Sequence, residues 1–130
     1  MGKNQLIVDT DILIAYLNHR NYRSYLENRK YQVYYSAVTK KELLAKRGLK
    51  NSERLAIFAV LRRFRIISIE RRVIAKYSQL RAAYPQLEKG DALIAASALV
   101  RQLPLLTQNL RHYRIVTNLV LLPIEARKKT

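Results

Sequence analysis

Short β-type apolar runs alternate along this chain with stretches of helical periodicity, and that alternation restricts its fold more than any other feature. Leu6 to Val8 has the composition of a strand buried on both faces, and Ile12 to Leu17 follows it with helical composition. Asn18 to Lys30 is polar but holds Tyr22, Tyr25 and Leu26 at i, i+3, i+4 spacing, which predicts a second helix before a strand over Tyr31 to Ser36. A helix opens at Thr39 to Glu42 and runs towards Gly48. From Ser52 onward, Ile57, Val60, Leu61 and Phe64 share one helical face opposite Arg54, Arg62 and Arg63. Ile66 to Ile69 reads as a third strand. Val73, Tyr77, Leu80 and Tyr84 mark a helix that Pro85 closes, and Ala92 to Val100 is apolar nearly all round, as in a central helix packed through its alanines. Leu105 to Thr107 and Leu119 to Leu122 read as a fourth and a fifth strand. Strands separated by helices predict a mainly parallel sheet of about five strands covered on both faces, a three-layer α/β fold.

A length of 130 residues fits one domain, expected over residues 1–124 and followed by a basic tail at 125–130. The absence of cysteine excludes a disulfide framework and a thiolate zinc site. Apolar runs are interrupted at Asp9 and Asp11, leaving no stretch suited to a signal peptide or membrane span, so a cytoplasmic protein with no membrane association is expected. The formal charge of +16, from 25 Lys and Arg against 9 Asp and Glu, exceeds what solubility requires. Its natural partners are a nucleic acid or a strongly acidic protein. Purely structural RNA-binding proteins share such a composition, so charge alone does not indicate an enzyme.

Against that basic background the scarce acids sit at the borders of apolar segments. Ligands of parallel α/β sheets bind beyond the carboxyl ends of the strands. Asp9 follows the first strand and Asn109 the fourth, while Glu42 and Asp91 are expected to open helices that follow loops, so all four can converge there. Each acid also has a plainer explanation. Asp9 or Asp11 could cap the helix that follows them, Asp91 the helix of Ala92 to Val100, and Thr39 with Glu42 fits the T-x-x-E capping box. Capping does not explain why scarce carboxylates would meet at one edge. Two of them about 5 Å apart repel by roughly 3 kcal/mol at an effective dielectric near 20. A divalent cation reverses that sign, and hard oxygen donors suit Mg²⁺ or Mn²⁺. The chemistry this implies is hydrolysis of a nucleic acid.

Four segments in order resemble the PIN-domain ribonucleases, and among them the VapC-type toxins of toxin–antitoxin pairs. They are Ile7-Val8-Asp9-Thr10-Asp11, Ser36-Ala37-Val38-Thr39-Lys40-Lys41-Glu42-Leu43, Gly90-Asp91-Ala92-Leu93-Ile94-Ala95-Ala96 and Leu106-Thr107-Gln108-Asn109-Leu110-Arg111-His112-Tyr113. Each is weak alone; together they span almost the whole chain. The resemblance implies a PIN-like fold and a catalytic set of Asp9, Glu42, Asp91 and Asn109. Asp9 and Asp91 would be direct metal ligands, with Glu42 completing the acidic cluster directly or through water. Asp11 and Thr107 would support the ligands, Asp11 by orienting the first of them. Asn109 stands where many relatives carry a fourth acid, and the lost charge favours one Mg²⁺ or Mn²⁺ over two. The resemblance further implies a homodimer, a small cognate antitoxin, and cleavage of tRNA or rRNA at structured sites.

Basic residues are spread along the chain, so a charged face is expected rather than a flexible arm. Those nearest the acids, Lys40, Lys41, Lys89, Arg111 and Arg114, are the candidates for contacting RNA phosphates, with Tyr113 the candidate for stacking on a base. His112 is expected to make a phosphate or structural contact. Two alternatives stand beside the toxin reading: a PIN nuclease of RNA maturation or decay without an antitoxin, and a non-catalytic RNA-binding module. The last would bind RNA in a salt-dependent manner indifferent to chelator.

Overall fold

The computed structural model describes residues 3–122, so the tail expected at 125–130 lies outside the described residues. The chain runs β1 (Asn4–Val8), α1 (Thr10–His19), α2 (Arg23–Leu26), β2 (Tyr31–Ser36), α3 (Ala37–Leu44), α4 (Asn51–Leu61), β3 (Arg65–Ile67), α5 (Arg71–Ala83), α6 (Lys89–Arg101), β4 (Leu105–Leu106) and α7 (Leu110–Tyr113). The strands form one sheet in the order β3-β2-β1-β4, every pairing parallel. Parallel neighbours need crossovers, and the helices supply them.

Side-chain alternation along β1 and β2 divides the interior into two layers. Leu6, Val8, Val33 and Tyr35 face Ile12, Leu13, Tyr16, Leu43, Ile57 and Leu61, so α1, α3 and α4 cover that side. Ile7 and Tyr34 point the other way, towards Val73, Leu80, Ile94 and Ala95 of α5 and α6. The alanine-rich α6 is the central helix its composition predicts: Ala92, Ala95, Ala96 and Ala98 are all buried, and their small side chains allow close approach of neighbouring backbones. Among the described residues no helix is long and apolar enough to cross a membrane.

Three expectations need correction. The segment Asn18 to Lys30 forms only the single turn of α2, because Arg20 and Tyr22 adopt left-handed backbone (φ 58° and 68°) and interrupt any longer helix. The third strand is displaced to Arg65–Ile67. The fifth strand shrinks to one bridge between Leu105 and Leu121, leaving a four-stranded sheet. β4 is only two residues long, so it offers almost no ladder for a further strand, and Val120 beside the bridge remains exposed.

The helix carrying Glu42 also begins earlier than its capping pattern suggests. Ser36, buried at the end of β2, caps α3 by accepting the Val38 backbone N–H at 3.1 Å. Thr39 therefore lies within the first turn, and Glu42 lies well inside the helix rather than opening it.

Candidate active site

β1 and β4 run side by side and end together, which sets Asp9 and Thr107 at the same edge of the sheet. Asp9 is 3% exposed. One of its oxygens accepts the Thr10 backbone N–H at 2.8 Å and the other the Thr107 hydroxyl at 2.7 Å. Asp9 is thus the N-cap of α1, as the capping explanation requires, yet it is also bonded across the sheet to Thr107. Thr107 in turn accepts the Asn109 backbone N–H at 2.9 Å, so one hydroxyl joins the first acid to the loop after β4.

Asp91 is not a cap. Glu88 occupies that position, and Asp91 sits in the first turn of α6 with its carboxylate facing α7. Its Oδ1 accepts the Tyr113 hydroxyl at 3.2 Å, and its Oδ2 lies 3.6 Å from His112 Nδ1. Glu42 is not a cap either: its Oε1 accepts the Thr10 hydroxyl at 2.6 Å, and Thr10 is also 2.9 Å from the Thr39 hydroxyl. The carboxylate of Glu42 rests against Gly90, where a β-carbon would fall 2.6 Å from Oε2. The missing side chain of Gly90 is what leaves room for the Glu42 carboxylate at this point.

The electrostatics follow from this packing. Burial raises the pKa of Asp9, opposed by the Thr107 hydrogen bond and reinforced by the charge of Asp91, while the Tyr113 hydroxyl lowers it slightly. Burial is also the main reason that Asp11 is pushed up to about 7, with Asp9 the next cause. Asp91 is raised by burial and held back by Tyr113 and His112. All three of the chain's aspartates are thus less willing to ionise than in water, burial being the main cause at each.

Among the described residues no three His, Asp or Glu side chains are grouped closely enough to hold a metal by themselves. Glu42, expected to complete the cluster directly or through water, is not grouped with Asp9 and Asp91 closely enough for the three to form one ligand set, and its carboxylate accepts from Thr10. The pair Asp9 and Asp91 does fit Mg²⁺ or Mn²⁺, ions that commonly keep several waters and take only one or two direct carboxylates. A cation there would offset both the burial that chiefly raises the Asp9 pKa and the added repulsion from Asp91.

Other expected residues fall into place differently. Asp11 accepts the Gln108 backbone N–H, at 3.2 and 3.4 Å from its two oxygens, tying α1 to the loop after β4; the hydrogen bonds that orient Asp9 come from Thr10 and Thr107 instead. Asn109 is exposed at the rim, at the start of α7. Tyr113, expected to stack on RNA, is fully buried and cannot do so; α7 turns its ring into the core and only its hydroxyl reaches the acids. Lys40 lies over the Phe58 ring at 5.7 Å, against α4, whereas Lys41, Lys89, Arg111 and Arg114 are exposed. A hollow of about 240 Å³ beside Asp91 is lined by Leu87, Glu88, Arg111, His112 and Ile115. The sequence reading missed Thr10 and Gly90 as parts of the site. A hydroxyl directly after a strand-end acid, and a glycine directly before another, were the available signals.

No curated protein matches the chain. Solved structures do. A chain of a toxin–antitoxin complex from Klebsiella pneumoniae is 28% identical, with a TM-score of 0.75 over 88% of this chain and 95% of that one. DNA-bound VapBC from Salmonella typhimurium matches at 21% identity and a TM-score of 0.79, over 94% and 98% of the two chains. VapBC2 from Rickettsia felis, bound to a promoter DNA fragment, matches at 22% identity and 0.78, over 91% and 97%. The PIN domain family model matches residues 6–117, from the start of the buried part of β1 to beyond α7, and takes in every residue of the site above. The chain therefore belongs to the PIN domain family.

Proposed function

We propose that this protein is a Mg²⁺- or Mn²⁺-dependent endoribonuclease and the toxin of a toxin–antitoxin pair, hydrolysing phosphodiester bonds in structured RNA such as tRNA or rRNA. The observation that carries this reading is the placement of Asp9 and Asp11 at the carboxyl edge of the sheet, bonded to Thr107 and Gln108 after β4, with Asp91 held by the α7 helix that follows, in a chain of formal charge +16. An acidic pocket within a basic surface suits a cation below and a phosphodiester above.

Asp9 and Asp91 are the proposed direct ligands. Thr107 holds Asp9 in orientation, and Glu42, fixed by Thr10, acts through water rather than by direct contact. A bound divalent ion supplies Lewis acidity and an acidified water at neutral pH. Lys41, Lys89, Arg111 and Arg114, all exposed, are the proposed contacts to the flanking phosphates, with exposed Asn109 at the start of α7. The hollow next to Asp91 offers Arg111 and His112 to a nucleotide.

The proposed partners are RNA, a small acidic antitoxin and a second copy of the chain. The toxin reading is supported by the 28% identity to a chain of a toxin–antitoxin complex, and by the match in fold to chains of VapBC complexes. Isosteric variants test the activity. Asp9→Asn, Asp91→Asn and Glu42→Gln keep side-chain shape and remove a charge. Each is expected to remain folded and to lose about 100-fold or more of cleavage of tRNA or rRNA for the two Asp changes, with a smaller loss for Glu42→Gln. Chelation with EDTA should abolish the wild-type reaction. Cleavage undiminished in all three variants, or indifferent to chelator, defeats the proposal.

A further inference from the structure

The single turn of α7 places two consecutive side chains on one acid. Residues 112 and 113 of α7 approach opposite oxygens of Asp91: Tyr113 Oη is 3.2 Å from Oδ1, and His112 Nδ1 is 3.6 Å from Oδ2. The two contacts are unequal in kind. The His112 side chain is more than half exposed, so water competes with it, whereas Tyr113 is fully buried. A buried phenol needs a hydrogen-bond partner, and this one finds a carboxylate that itself needs orienting. Phenylalanine would fill the same ring-shaped space in the core with Ile94 and Val116, so packing alone does not account for the hydroxyl.

We infer that Tyr113 is a positioning residue: its hydroxyl donates to Asp91 Oδ1 and fixes the carboxylate so that its free lone pairs face the cation site shared with Asp9. This rests on the metal-dependent reading above and adds a residue to it. The donor is a buried phenol and the acceptor a part-exposed carboxylate, and groups that orient a metal-binding side chain in this way commonly change metal affinity by about 10- to 100-fold when removed.

The test is Tyr113→Phe on the full chain, with Mn²⁺ as the probe. Free Mn²⁺ is read by electron paramagnetic resonance at pH 7.5 for wild type, Tyr113→Phe and Asp91→Asn, with thermal melts in EDTA alongside. The expected result is a loss of Mn²⁺ affinity of about 10-fold or more in Tyr113→Phe, with the metal-free melt close to wild type. Turnover on RNA should fall while KM for RNA stays near wild type, since the phenol does not touch substrate. Unchanged Mn²⁺ affinity in Tyr113→Phe, when wild type binds and Asp91→Asn does not, overturns the role of the hydroxyl alone. Wild type that binds no Mn²⁺ overturns both this role and the metal-dependent reading. A second variant, Tyr113→Leu, guards against the ring itself being the determinant: it should lose both melt temperature and affinity, and affinity equal to wild type would also overturn the inference.

Discussion

At the scale of single residues, the site is a set of carboxylates kept in place by hydroxyl and backbone donors. Asp9 is held by Thr107 and Thr10, Glu42 by Thr10, and Asp91 by Tyr113. Replacing Thr107 by Val keeps its shape and β-branching but removes the donor from a buried carboxylate, which should cost roughly 1–3 kcal/mol in stability by denaturant melts and lower cleavage as well. Asp11 offers a sharper pH test. Its folded-state pKa is about 7 against an ordinary 3.8, mainly through burial, so the native state binds its proton more tightly than the unfolded chain does. That contribution to stability is complete below about pH 4 and disappears as pH rises to about 7. Asp11→Asn should therefore stabilise the metal-free protein at pH 7.5, by about 1–2 kcal/mol once solvent screening of this part-exposed carboxyl is taken into account, and make little difference at pH 4. Glu27 and Glu53, lowered by hydrogen bonds to Tyr16 and to the Lys50 backbone, slope the other way, so the difference between variant and wild type is the quantity to measure. The acids themselves were legible in sequence because Leu6 to Val8 ends so abruptly at Asp9. Tyr113 was not: α7 is a single turn, too short for periodicity to reveal which side faces inward.

At the scale of elements, the helices that deliver the acids depend on where each one starts. Capping by Ser36 begins α3 a turn before the T-x-x-E pattern, and this places Glu42 inside the helix and beside Gly90. A strand-like Tyr31 to Ser36 conceals that cap in the sequence, because the last strand residue and the first helix cap are the same serine. Ser36→Ala should lower stability by about 1 kcal/mol in a thermal melt. Gly90→Ala separates function from stability. Within a helix the exchange favours folding by about 1 kcal/mol, but the new methyl group meets the Glu42 carboxylate and pushes it away. The expected variant melts no lower than wild type and cleaves RNA more slowly; wild-type cleavage would show that the contact with Glu42 is immaterial. The longer helices α4, α5 and α6 were readable from their periodic apolar positions. The single turn of α2 and the two-residue β4 were less so, since left-handed residues at 20 and 22 and a short ladder leave little pattern.

At the scale of the whole molecule, a strongly basic chain keeps its three aspartates together at the edge of a parallel sheet, where helices from both layers converge. The three layers follow from strands whose alternate residues are apolar on both sides, which is why the architecture could be read from the sequence while the strand count could not. Charge of this magnitude should make RNA affinity fall steeply with salt, and Arg111→Ala should reduce the slope of log K against log salt by about 0.7–0.9, as for loss of one phosphate contact. An unchanged slope would remove Arg111 from the RNA path. The central claim, that Asp9 and Asp91 together hold one divalent ion, is tested most directly by anomalous diffraction from crystals grown with Mn²⁺. The predicted result is a single manganese peak in contact with oxygens of both Asp9 and Asp91 and lost in Asp91→Asn. A peak elsewhere, or none while the crystal retains Mn²⁺ at millimolar concentration, would contradict it.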